Sequence, residues 1–162
     1  MDELVLNNRR LKLVDGEIWS WKEYKHNPCW RKIKYSIKEN GYYYINLQNN
    51  KIQKGYYLHR LIYKFYNPEW DIHDSSSDNQ VDHFDNDKTN NNIENLRIVT
   101  HSENQQNTLS TKGYNFHKHS NKYRAYINVN YKHHYLGYYD TAEEARDAYL
   151  IAKKKYHIIC YL

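Results

Sequence analysis

The chain has 162 residues, 40% of them apolar and 16% aromatic. That suits one domain or two small ones, each with a modest core. No run of 18 apolar residues occurs, which excludes a membrane-spanning helix, and Cys29 and Cys160 alone make neither a disulfide framework nor a zinc ribbon. The net charge of +5 is unevenly spread: residues 22–64 hold ten Lys and Arg against two Asp and Glu, residues 67–110 two against nine, and residues 111–162 nine against four. A polyanion would favour the two basic flanks, and a divalent cation the acidic middle.

In chain order, "MDELVLNNRR" begins with acidic residues and has no apolar stretch, so it does not read as a secretory leader. With so few cysteines, the expected compartment is reducing and intracellular. Heavy use of Asn, Lys, Tyr and Ile fits an AT-rich genome, such as that of a phage or virus. "EIWSW" (17–21), "YYYINLQ" (42–48) and "GYYLH" (55–59) are aromatic and β-branched runs and read as short antiparallel strands. Cys29 and Trp30 read as packing residues. "HRLIYKFY" (59–66) places Leu61, Ile62 and Phe65 at helical spacing, with Pro68 as a stop. Residues 71–80 are a polar loop.

"VDHFDNDKTNNNIENLRIVTHSENQQN" (81–107) then gives a strand at Val81–Phe84, a turn-rich loop, a second strand in "NLRIVT", and a capping box of Thr100 and Glu103 that starts a helix near His101. In such a strand–loop–strand–helix unit, Asp82 and Asn104 can converge. A carboxylate and an amide carbonyl suit Mg²⁺, which takes oxygen ligands. His83, neutral at pH 7 when unperturbed, is placed to act as a general base. Asn95 can clamp the loop through its amide. A calcium loop starting at Asp85 fails, because Asn90 stands where Gly is needed and Leu96 where Glu is needed. A purely structural Asn/Asp-rich loop is the alternative that residue types alone leave open.

"NTLSTKG" (107–113) reads as a linker. Beyond it, "YNFHK" (114–118), "YRAYINVNY" (123–131) and "HHYLGYYD" (133–140) read as three strands. In the middle one, Tyr123, Ala125, Ile127, Val129 and Tyr131 face one way, and Arg124, Tyr126, Asn128 and Asn130 the other. Thr141 and Glu144 form a capping box for a helix whose stripe of Ala142, Ala145, Ala148, Tyr149 and Ala152 covers one sheet face. The opposite face is left for a partner. Tyr138 and Tyr139 are expected in the core, and His117, His119, His133 and His134 match no metal-ligand spacing.

The 81–107 stretch, with its Asp-His pair, its "NNIENLR" segment and its final Asn, resembles the active-site block of the HNH homing-endonuclease family. The upstream "YYLHRLIYKFYNP" resembles the elements that precede that block, and the likeness spans roughly residues 40–107. It implies His83 as general base, Asp82 and Asn104 as ligands of Mg²⁺ or another divalent cation such as Mn²⁺, and Asn95 as the residue fixing the loop. No CxxC pairs flank the block, so the zinc-stabilised form is not expected. "NKYRAYINVNYKHHYLGYYDTAEEARDAYLIAKKKYH" resembles the AP2 DNA-binding domain, which implies a three-stranded sheet laid in the major groove of DNA; the usual Trp and Arg positions are only partly kept.

The expected fold class is therefore α+β: a ββα-metal nuclease unit with short N-terminal antiparallel strands (1–110), then an AP2-like three-stranded antiparallel sheet packed on one helix (111–162). The expected activity is metal-dependent hydrolysis of DNA phosphodiester bonds. The expected partner is double-stranded DNA, with no membrane and a monomer favoured. Expected DNA contacts are Arg60, Arg97, Lys122, Arg124, Tyr126, Asn128 and Lys132. Arg97 is balanced between a phosphate clamp and an ion pair with a nearby Asp, and His59 between packing and a site role. Two other classes stand beside this reading, a non-catalytic DNA-binding regulator and an RNA-binding protein; metal-dependent plasmid cleavage discriminates.

Overall fold

The computed structural model describes residues 3–49, 52–108, 111–129 and 132–157. Tyr131, Asn130 and Cys160, read above from the sequence, lie outside these residues, as do two positions of the 107–113 segment. The fold is α+β, with antiparallel sheets and few helices, and it divides into two compact units, residues 1–98 and 99–162. The division falls before the boundary expected at 110/111. No helix among the described residues is long and apolar enough to cross a membrane.

The first unit opens with a four-stranded antiparallel meander: β1 (Glu3–Leu6), β2 (Arg9–Val14), β3 (Glu17–Lys22) and β4 (Cys29–Lys32). The first two links are two-residue turns, and residues 23–28 join β3 to β4. Asn7 and Asn8 both have positive φ, as do Asp15 and Gly16, the conformation whose twist matches paired strands. A three-stranded sheet follows, β5 (Ser36–Ile37), β6 (Tyr43–Asn49) and β7 (Ile52–Tyr57), and β7 runs directly into α1 (Leu58–Tyr66). Leu58 and His59 thus start the helix and do not end the strand. One face of α1 buries Leu58, Leu61, Ile62 and Phe65 against Leu11, Ile18, Ile45 and Leu47. Val81 of β8 (Gln80–His83) and Leu96 of β9 (Leu96–Val99) join that core, and β8 and β9 form a two-stranded sheet.

In the second unit, α2 (His101–Gln106) carries the expected capping box, with both Thr100–Glu103 hydrogen bonds present. The sheet order is β10 (Tyr114–His117), β11 (Lys122–Val129), β12 (Lys132–Tyr139), all antiparallel, and α3 (Ala142–Tyr156) packs on it. Ala125, Ile127, Ala145, Tyr149 and Ala152 are buried between sheet and helix. The small alanines bring the helix close. Gly113 packs so tightly on the Tyr149 ring that a Cβ there would lie 2.0 Å from it, and its φ of +76° is one that residues with a side chain rarely adopt. Described residues of the segment before it are held to α3. The buried Lys153 donates from Nζ to the Thr108 carbonyl at 2.9 Å, and Arg146 to the carbonyls of Thr111 and Lys112.

Candidate active site and DNA face

β8 is short and buried, and it carries Asp82 and His83 inward, both less than a tenth exposed. After it the chain turns through Asn86, at φ +63°, and returns by a single 3₁₀ turn at Ile93–Asn95, whose N-cap is Asn92. The loop between is locked by its own side chains. Asn95 accepts from the Asp85 amide at 3.0 Å and donates to the Asp85 carboxylate and the Asn90 carbonyl, each at 2.9 Å. Its own carbonyl takes the Phe84 amide at 2.9 Å. This is the loop-clamping geometry expected of Asn95. Asp85 also accepts from Asn90 at 2.7 Å, and Asp87 from the Thr89 hydroxyl and amide. Burial opposes ionisation of Asp85, but its bonds from Asn90, Asp87 and Asn95 hold its carboxyl below the usual range; the Thr89 bonds do the same for Asp87.

His83 Nε2 lies 3.2 Å from the Asn91 side-chain oxygen. Burial lowers the His83 pKa below its ordinary value, against the opposing pull of Asn91 and of the carboxylates at Asp82, Asp85 and Asp87. The ring is therefore neutral at pH 7, which is what a base requires. An aromatic wall holds it. The His59 ring meets it edge-on with centroids 5.0 Å apart, and Tyr42 lies 5.7 Å away. Tyr57 stacks on His59 at 5.7 Å. His59 is itself buried, and burial, then His83 and Arg60, push its pKa down to about 3. Lys88 ties the loop to the β5–β6 turn, donating to the Asn40 carbonyl at 3.0 Å with its Nζ 5.0 Å from the Tyr42 ring centre. Asn91, His59 and Tyr42 were not singled out as site residues, although the "LHR" beside the block left His59 open to such a role.

Arg97 resolves the balance between clamp and ion pair. Its Nε and Nη2 both donate to Asp82 Oδ2, at 3.1 and 2.9 Å, and its guanidinium covers the Phe84 ring. Arg60 departs from expectation. Its guanidinium donates to the carbonyls of Asn79, Ile72 and Asp74 and lies 4.7 Å from the Trp70 ring centre, so it staples the 71–80 loop and is not placed for a phosphate. Asn104 stands on α2, in the second unit. Asp82 and Asn104 offer hard oxygen donors of the kind Mg²⁺ takes. Among the described residues no three His, Cys, Asp or Glu side chains gather in a way that would hold a metal.

On the second unit, the sheet face away from α3 carries Arg124, Tyr126 and Asn128, as the alternation requires. Cross-strand pairing adds Asn115, Tyr138, Tyr135 and His133. Asn115, Arg124, Tyr126, His133 and Tyr135 line a hollow of about 410 Å³, and Arg124 Nε has no hydrogen-bond partner among the described residues. A bulge at Ala125/Tyr126 sets this register. Two expectations change. Lys132 pairs with Val129 and so belongs to the face turned toward α3, and Tyr138 is 41% exposed and not in the core. Lys122 is on the open face, in an exposed ion pair with Asp140 at 2.9 Å.

Residues 56–106 match the HNH endonuclease family. The segment holds every residue of the buried pair, the locked loop and the capped helix. The chain is also 30% identical over 106 residues to an uncharacterized HNH endonuclease of Acanthamoeba polyphaga mimivirus; this covers 65% of the chain but 29% of the relative's length. Among solved structures it is similar to the HNH homing endonuclease I-HmuI, described for DNA binding and cleavage, with a TM-score of 0.48 and 23% identity over 96% of this chain and 87% of that one.

Proposed function

We propose that the chain is a metal-dependent DNA endonuclease of the homing type, with a C-terminal AP2-like reader. The observation that carries this reading is the buried Asp82–His83 pair on β8, followed by a loop locked by Asn95, inside the HNH-matched segment. Asn91 fixes the tautomer: with Nε2–H donated to its oxygen, the lone pair sits on Nδ1. His83 then takes a proton from water at Nδ1 as that water attacks phosphorus, and burial keeps the ring neutral and ready at physiological pH. Asp82 and Asn104 are the residues that would hold a divalent cation, Mg²⁺ or Mn²⁺. When bound, such an ion stabilises the leaving oxygen and the charge that gathers on the phosphate. Arg97, already seated on Asp82, holds that side chain in place.

Duplex DNA is the proposed partner. The basic stretch 22–64 supplies phosphate contacts, and the open face of β10–β12, with Arg124, Tyr126 and Asn128, supplies base contacts. Plasmid incubated with and without Mg²⁺ tests the reading: cleavage that requires the metal supports it, and an inert protein that binds DNA makes it a non-catalytic regulator.

A further inference from the structure

The meander of β1–β4 changes character along its inner face. Pairing of β2 with β3, and of β3 with β4, brings Leu11, Ser20 and Arg31 into one row across the sheet. The Leu11 end of that row is core: Leu11 and its neighbour across the sheet face, Ile18, are fully buried. Arg31 closes the other end, and Arg9 and Lys22 lie beyond the row, giving three cations from three successive strands. With Ser20, Asn46, Gln48 and Lys32, whose Nζ is paired with Glu17 at 3.0 Å, they line a hollow of about 280 Å³ that no carboxylate lines among the described residues. Arg9 is fixed there, its Nη1 donating to Ser20 Oγ at 3.2 Å and its Nε to the Gln48 carbonyl. Arg31 is steadied by the Tyr24 ring, 5.3 Å from its guanidinium carbon.

Like charges gathered in a concavity raise the local potential and repel one another, and an anion relieves that repulsion. Burial, followed by Arg9 and Arg31, lowers the pKa of Lys22, an independent sign that the cluster lacks a compensating charge. Every polar side chain around the hollow can donate a hydrogen bond. Sequence windows miss the cluster, because Arg9 lies outside the basic stretch and only the pairing of β2 with β3 and of β3 with β4 brings it near Lys22 and Arg31.

We propose that Arg9, Lys22 and Arg31 form a preorganised anion site that seats one backbone phosphate of duplex DNA. The proposal rests on the nuclease reading and locates one of its phosphate contacts. Arg9, already spent on Ser20 and Gln48, supplies field, while Lys22 and Arg31 supply the donors that reach the phosphate oxygens. Such a contact carries no sequence information and sets the position of the duplex on the meander.

The test is the salt dependence of binding to a fluorescent duplex in EDTA, where no metal-dependent cleavage occurs. Each phosphate contact contributes about 0.9 to the slope of log K against log salt. The double variant Lys22→Gln/Arg31→Gln should lower the slope by about that amount, Arg31→Lys should keep it, and Lys154→Gln on α3 should leave it unchanged. Far-ultraviolet circular dichroism confirms that each variant is folded. A wild-type protein that binds duplex, with the double variant keeping the full slope, overturns the anion site and leaves the nuclease reading standing. A wild-type protein that binds no duplex overturns both. Calorimetric titration with inorganic phosphate separates the remaining source: sub-millimolar binding, lost in the double variant, would mark a free-phosphate site and overturn the DNA assignment.

Discussion

His59 makes this fold sensitive to acid. Its ring is buried against His83 and Tyr57, its Nδ1 has no hydrogen-bond partner among the described residues, and its pKa is pushed down to about 3. In the unfolded chain the same imidazole titrates at its ordinary value of 6.5. Below that value the unfolded state binds a proton that the folded state refuses, so stability is present at neutral pH and drains away as pH falls from 6.5 toward 3. Between pH 7 and pH 5 the loss from this one residue is about 2 kcal/mol, using 1.36 kcal/mol for each unit. His83, also lowered by burial, adds in the same direction. All four tryptophans, Trp19, Trp21, Trp30 and Trp70, lie in the first unit, so their fluorescence during urea unfolding reports that unit alone. His59→Phe keeps the ring packing and removes the titration. The wild-type protein should therefore lose about 2 kcal/mol more than His59→Phe between the two pH values. Equal losses in the two proteins would refute the reasoning and show that His59 is solvated or paired in solution.

Asn95→Ala removes the three side-chain bonds that lock the loop, at roughly 1 kcal/mol each, so urea unfolding should show about 2–3 kcal/mol less stability, and cleavage should fall with it. Arg124→Ala should weaken duplex binding by about tenfold or more and relax sequence preference, as expected for a residue on the reading face; unchanged affinity and preference in a binding competition would remove it from that face. One Asp82–His83 pair per chain means one scissile phosphate at a time, so an early time course on supercoiled plasmid should show open circle before linear product. Immediate linear product from a complex with two protein chains would refute a monomeric nickase.

Strong local signals were legible in the sequence. The alternation in 123–129, the capping boxes at Thr100 and Thr141, and the helical spacing of Leu61, Ile62 and Phe65 all stand in the fold. The N-terminal hairpins were equally legible but unread: Asn7-Asn8 and Asp15-Gly16 are turn dipeptides between apolar runs. Other features were not legible, because they depend on pairs far apart in the chain. Arg60 reads as a free cation until the 71–80 loop folds back over it. Tyr138 reads as core until the bulge at Ala125/Tyr126 sets it opposite Arg124. Tyr42, outside the HNH-matched segment, reaches His83 only through the β5–β6 turn. Asn91 is one of three consecutive asparagines, and only the loop's closed geometry says which of them meets the base.

The central claim is that His83 is the base of a metal-dependent nuclease, and a single comparison tests it most directly: plasmid cleavage with Mg²⁺ by the wild-type protein and by His83→Ala, alongside duplex binding by both in EDTA. The account predicts that cleavage falls by about 10² or more in the variant while affinity stays near wild type. Because burial lowers the His83 pKa, the wild-type rate should hold on the acid side down to a pH below the ordinary histidine value. Equal cleavage by the two proteins, or a parallel loss of binding and cleavage in His83→Ala, would contradict it.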